Sequence, residues 1–161
     1  MAFSRLPVSF RLGGCICKLY LSKIISLMTS TVHYLGDLRT EGTHLASSTT
    51  LITDAPVDNH GKGETFSPTE TVATRLGSCM LTIMGIKARS LELDLRGTTA
   101  KVEKVMAADP RRIAEIKVDI HFNKSFNPKT KLILERSALS CPVAQSLHPD
   151  LNQNISFHWP E

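Results

Sequence analysis

The 161-residue chain is short of several features, and each shortage excludes a class of protein. No stretch approaches the ~20 consecutive apolar residues of a membrane-spanning helix. No Cys-x-x-Cys pair occurs among the four cysteines, so neither a zinc ribbon nor a thioredoxin-type motif is written here. Four scattered cysteines are also too few for a disulfide-rich secreted scaffold. Residues 1–27 contain no acid, and their Arg5, Arg11, Lys18 and Lys23 account for the whole formal charge of +4. From Met28 onward 15 basic residues meet 15 acidic ones, so the body is neutral and carries no electrostatic footprint of nucleic-acid binding.

What is present divides into a leader and a body. The basic leader, residues 1–28, reads as a targeting segment, as a disordered extension, or as sequence upstream of a true start at Met28. It carries Cys15 and Cys17, and Leu12-Gly13-Gly14-Cys15 resembles a bacterial lipoprotein cleavage box. Residues 29–161 suit one domain or one protomer of a dimer, and the expected location is cytoplasmic.

Thr31 to Asp54 reads as two or three short strands in a meander, with turns at Gly36-Asp37 and Glu41-Gly42. The polar loop Asp58-Asn59-His60-Gly61-Lys62-Gly63 lacks the ending of a phosphate-binding loop. Ser67-Pro68-Thr69-Glu70 then combines an N-cap serine, proline at the first helical position and a capping-box glutamate. A helix is expected from there to about Arg89. Val72, Leu76, Cys79 and Ile83 share one face, and Ala73, Met80, Leu81, Met84 and Ile86 widen it. Ala73 and Gly77 would let another helix approach closely. A helix this apolar must be central, and it exceeds what a few strands cover in one protomer. Further strands are expected at Thr98–Met106, at Ala114–Phe122 with clean alternation, and at Asn154–Trp159. Helices are expected from Pro128 to Leu139 and from Cys141-Pro142 to near Pro149. The order describes an α+β protein without internal repeats.

Two motifs then carry a resemblance. Phe66-Ser-Pro-Thr-Glu-Thr-Val-Ala-Thr-Arg-Leu-Gly-Ser-Cys79 resembles the central-helix motif of the OsmC/Ohr family, and Cys141-Pro142-Val143 resembles its second cysteine motif. Tyr34-Leu-Gly-Asp-Leu-Arg39 and Thr53-Asp-Ala-Pro are similar to the amino-terminal strands of a bacterial OsmC-like branch. The resemblance covers roughly residues 29–160. It implies antiparallel sheets wrapped around long central helices in an intertwined homodimer. It also implies reduction of organic or hydrogen peroxides, in an oxidative stress response. Cys79 would be oxidised to a sulfenic acid and Cys141 would close the disulfide. No resident cofactor is implied; an external dithiol, often lipoyl-based, would reduce the disulfide.

A cysteine of pKa near ~8.5 is only a few per cent thiolate at neutral pH. Arg39 matches the family's active-site arginine, which would favour the thiolate. The free amides at the start of the helix after Cys141 are expected to lower that thiol's pKa. One departure stands out. The family's hydroperoxide reductases place a glutamate directly after the motif proline, where this chain has Thr69. Glu70 follows, a rotation of ~100° on the helix; it either substitutes catalytically or serves as the capping acid.

Two other readings compete. The chain could carry a small-molecule or lipid-like ligand in an apolar pocket, with the cysteines vestigial. Alternatively Cys79 and Cys141 could bind metal with a histidine such as His148. A lone cysteine on an apolar helix is usually core filler, and a loop histidine such as His60 is usually solvated.

Overall fold

The computed structural model describes residues 28–161, so the leader with Cys15 and Cys17 lies outside the described residues. These residues divide into two compact units, the boundary in sequence falling between Thr53 and Asp54.

The amino-terminal unit is a meander of β1 (Ser30–Gly36), β2 (Arg39–His44) and β3 (Thr50–Asp54), in that order across the sheet. β1 and β2 run antiparallel and turn through Asp37 and Leu38. Both turn residues have positive φ, 50° and 60°, the backbone hand of a two-residue hairpin. A leucine is a poor occupant of that region, and its amide is held by the Tyr34 hydroxyl at 3.2 Å. The second expected turn is misplaced. Glu41-Gly42 lies inside β2, where Gly42 pairs with Val32. The chain reverses instead after His44, whose amide donates to the Thr49 carbonyl at 2.9 Å. Glycine signals a turn only where positive φ is needed, and Gly42 is not among the positive-φ residues.

In the carboxy-terminal unit, the glycine-rich loop folds back on itself through a 3₁₀ turn at Val57–Asn59. The Gly61 and Gly63 amides donate to the Pro56 and Ala55 carbonyls at 3.1 and 3.2 Å. A side chain at Gly61 would run into the Ala55 backbone. The loop's glycines therefore serve close packing rather than phosphate binding, and His60 is exposed in it.

Helix α1 (Pro68–Ser90) begins as the sequence dictates. The Ser67 hydroxyl accepts from the Glu70 amide at 3.2 Å, and Glu70 Oε2 accepts from the Ser67 amide at 2.7 Å. After it come β4 (Thr99–Ala107) and β5 (Arg112–His121), then helices α2 (Pro128–Leu139) and α3 (Pro142–Ser146), and finally β6 (Asn152–His158). The second sheet has the order β4-β5-β6. β4 and β5 are antiparallel, but β6 lies parallel to β5, with Ile155 opposite Val118. The expectation of purely antiparallel sheets is thus corrected. The chain leaves β5, passes through two helices and re-enters beside it, the kind of crossover a parallel pair needs.

Ile116, Val118 and Ile120 point from β5 into the core while Glu115, Lys117, Asp119 and His121 face outward. The outer face is bound by cross-strand polar pairs: Lys117 Nζ to Glu103 at 3.1 Å, and Asn152 and Asn154 both to Glu115 Oε1 at 3.0 and 3.1 Å. The core side packs against α1 through Ala73, Leu76, Gly77, Met80, Met84 and Ala88. This stripe is rotated from the expected face of Val72, Leu76, Cys79 and Ile83. Two apolar stripes adjoin on this helix, and the one carrying the small residues docks. A Cβ on Gly77 would stand 3.0 Å from Val102 and 3.5 Å from Ala100, so the glycine admits a sheet, not the helix anticipated for it.

The capping box gives Glu70 a pH-dependent contribution to stability that can be measured. Its pKa is lowered, first by the backbone hydrogen bond from Ser67 and, in smaller part, by Lys104, although burial opposes the shift. A carboxylate with a depressed folded pKa stabilises fully above its unfolded value of about 4.3, and the contribution fades as pH falls through the lower folded value. Ser67→Ala should cost about 1 kcal/mol at pH 7. The urea midpoints of wild type and Glu70→Gln should differ at pH 7 and converge as pH falls through the lowered folded pKa of Glu70. A gap unchanged at low pH would mean that the carboxylate charge is irrelevant.

Candidate active site

The two cysteines come from different elements. Cys79 lies on α1, half-buried, on the flank of the docked stripe. Cys141 is the N-cap residue of α3 and is completely buried. Proline at the first helical position after it fixes the start of α3. Because α3 packs against α1, residues 62 positions apart in the sequence become neighbours. Both thiols are free, and Cys79 lies close enough to Cys141 to influence its titration.

Their chemistry differs from the expectation in one respect. Burial pushes the Cys141 thiol above its ordinary pKa. The Ala144 amide, 3.3 Å from its sulfur, works in the opposite direction; the adjoining Cys79 reinforces burial, and the Val143 amide again opposes it. Two amides of a five-residue helix stabilise a thiolate less than removal from water destabilises it. Cys141 is therefore held as a thiol at neutral pH, its sulfur already serving as a helix cap.

Glu70 caps α1 and lies 3.8 Å from Lys104 Nζ. Nine residues separate it from Cys79, which on an ideal helix is about half a turn out of phase and ~13.5 Å along the axis. Within one chain it thus faces away from the thiol. Lys104, which the sequence reading passed over, holds this corner: its ammonium donates to the Thr69 hydroxyl at 3.0 Å, and its side chain is only 15% exposed. The available signal was parity. Lys104 shares the inward parity of Ala100 and Val102 on β4.

Arg39 opens β2, opposite Gly36, in the amino-terminal unit. His148 is engaged locally, its Nδ1 accepting from the Asp150 amide at 3.2 Å. Among the described residues, no three His, Cys, Asp or Glu side chains gather so as to hold a metal ion. An open pocket of about 750 Å³ lies beside the Thr69–Lys104 corner, walled by Phe66, Glu70, Ala73, Thr74, Val102 and Lys104; neither cysteine lines it. No helix among the described residues is long and apolar enough to cross a membrane.

Comparison with known proteins agrees with this architecture. A protein of Psychrobacter arcticus 273-4, named for osmotic stress induction and detoxification response, is 58% identical over 82% of this chain and 96% of its own, with a TM-score of 0.80. The organic hydroperoxide resistance protein OsmC of Legionella pneumophila shares the fold at 14% identity and a TM-score of 0.65, over 82% of this chain and 98% of its own. The organic hydroperoxide resistance protein of Elizabethkingia anophelis does so at 13% and 0.63, over 83% and 98%. No curated protein matches the chain. The family model described as OsmC-like protein matches residues 61–156, a span containing Glu70, Cys79 and Cys141. A family match over more than half of the sequence, together with so similar a relative, identifies the chain as a member of the OsmC-like protein family.

Proposed function

We propose that this protein is a thiol-dependent peroxidase that reduces organic or hydrogen peroxides with Cys79 and Cys141. The observation that carries the reading is the proximity of two free thiols, one partly exposed and one buried, on elements far apart in sequence. In this reading the partly exposed cysteine meets the hydroperoxide and its buried neighbour resolves it. Relatives named for organic hydroperoxide resistance share the fold.

In the proposed reaction the Cys79 sulfur attacks one peroxide oxygen and the O–O bond breaks. An alcohol, or water from hydrogen peroxide, leaves with the proton, and Cys79 becomes a sulfenic acid. The Cys141 sulfur then attacks the Cys79 sulfur; the S–O bond breaks and water departs with the Cys141 proton. An external dithiol, lipoyl-based or otherwise, restores both thiols. Arg39 is assigned to the peroxide, polarising the departing oxygen. Glu70 is assigned a supporting role through its cap and Lys104. The protein works as a homodimer in this reading. Support for that lies on α1, where Val72 is 41% and Ile86 62% exposed, apolar surface that one protomer leaves uncovered.

The deciding experiment is a stoichiometric titration of the reduced protein with cumene hydroperoxide, followed by mapping of the disulfide by mass spectrometry. The expected result is loss of two thiols per chain and a Cys79–Cys141 link, in a species of twice the chain mass by light scattering. Survival of both thiols in excess peroxide would refute the peroxidase reading. It would favour a ligand carrier instead, for which the open pocket beside Phe66 and Lys104 is the supporting observation.

A further inference from the structure

The reducing half of the cycle has a direction that follows from the burial of the two sulfurs. We propose that an external thiol attacks the Cys79–Cys141 disulfide at Cys79, and that Cys141 is the leaving sulfur, received by the amides of Val143 and Ala144. The inference rests on the peroxidase reading only for the origin of the disulfide.

Thiol–disulfide exchange proceeds by attack on one sulfur in line with the bond that breaks, so access decides which sulfur is struck. Cys141 has no exposed surface, and its sulfur lies beneath the first turn of α3 within the cluster containing Leu134, Ala138 and Ala144. An in-line approach to it would cross packed core. Cys79 is half-buried on the flank of α1. Cys79 neighbours Cys141 across the α1–α3 contact, and Cys141 is fixed in place as the N-cap of α3.

The leaving position is also prepared. The Ala144 amide donates to the Cys141 sulfur at 3.3 Å in the reduced protein, and the Val143 amide adds to it. An electron pair arriving on that sulfur meets the helix-start amides already in place, and these offset part of the cost that burial sets on the departing thiolate. The balance is complete. The reductant's thiolate forms a new S–S bond to Cys79, the Cys79–Cys141 bond breaks, and Cys141 takes a proton from water. The reductant's second thiol then displaces Cys79 from the mixed disulfide, leaving both cysteines reduced and the reductant oxidised. A dithiol completes this second displacement unaided; a monothiol needs a second molecule for it and pauses at the adduct.

That pause provides the test. The full chain is oxidised with diamide, so that disulfide formation does not depend on peroxide chemistry, and briefly exposed to 2-mercaptoethanol. After an acid quench, newly freed thiols are alkylated with N-ethylmaleimide in denaturant and the peptides are mapped, which separates Cys15 and Cys17. The expected result is the mercaptoethanol adduct on Cys79 and the maleimide on Cys141. The reverse pattern, an even mixture, or failure of diamide to link the pair would overturn the proposal. If diamide links the cysteines but cumene hydroperoxide does not, the peroxidase reading falls while the direction of reduction is still read.

Discussion

Cys79→Ser should abolish peroxide consumption, lowering the dithiol-coupled rate more than about a thousandfold, the scale seen when a nucleophile is removed. Cys141→Ser should behave differently. It should consume one peroxide equivalent per chain, then stall with a sulfenic acid on Cys79 that dimedone traps. The contrast follows from position: Cys79 is partly exposed, whereas Cys141 is fully buried at the start of α3. Arg39→Ala should fall between these extremes if Arg39 polarises the peroxide as proposed, because the nucleophile is left in place. Equal turnover in wild type and Cys79→Ser would dispose of the assignment. A Cys141→Ser protein that cycles normally would show that resolution does not use the second cysteine.

Leu76→Ala should destabilise the protein by about 2–5 kcal/mol, because it empties a fully buried site with the surrounding structure fixed. Ile86→Ala removes an isomeric side chain from the same helix, yet Ile86 is among the most exposed large apolar side chains of the described residues. Within one protomer its loss should cost well under about 1 kcal/mol. The pair of urea midpoints therefore reports which stripe of α1 docks on the sheet. It also bears on the proposed dimer. If a partner covers the second stripe, Ile86→Ala becomes costly and the loss deepens on dilution, because subunit association adds to apparent stability. Comparable losses at high and low protein concentration would locate Ile86 outside any subunit contact.

Local chemistry was legible wherever a few adjacent residues carry the whole signal. Ser67-Pro68-Thr69-Glu70 specifies its capping box without help from the rest of the chain, and α1 starts where the motif places it. Pro128 opens α2 and Leu139 closes it, as expected. The β5 alternation likewise identifies its inner and outer faces, since the strand period is two. The two cysteine motifs identified the family for the same reason.

Other features depended on partners distant in sequence. Glu41-Gly42 looked like a turn, but pairing with Val32 drew it into β2. The helical period could not select between adjacent apolar stripes on α1; packing of Ala73, Gly77 and Ala88 against β4 and β5 did. The direction of β6 was likewise undetermined until two helices had carried the chain back beside β5. Lys104 gained its meaning from Thr69, 35 residues earlier.

The sequence by itself determined the elements, their caps and the family, because those rest on side chains interacting with their own backbone and on motifs of fixed spacing. Only the tertiary structure decided which face of α1 is core, how β6 is oriented, and what state Cys141 occupies. The helix start promised an acidic thiol, but burial beside Cys79 prevailed. Desolvation is a property of everything packed around a group, and no local motif encodes it.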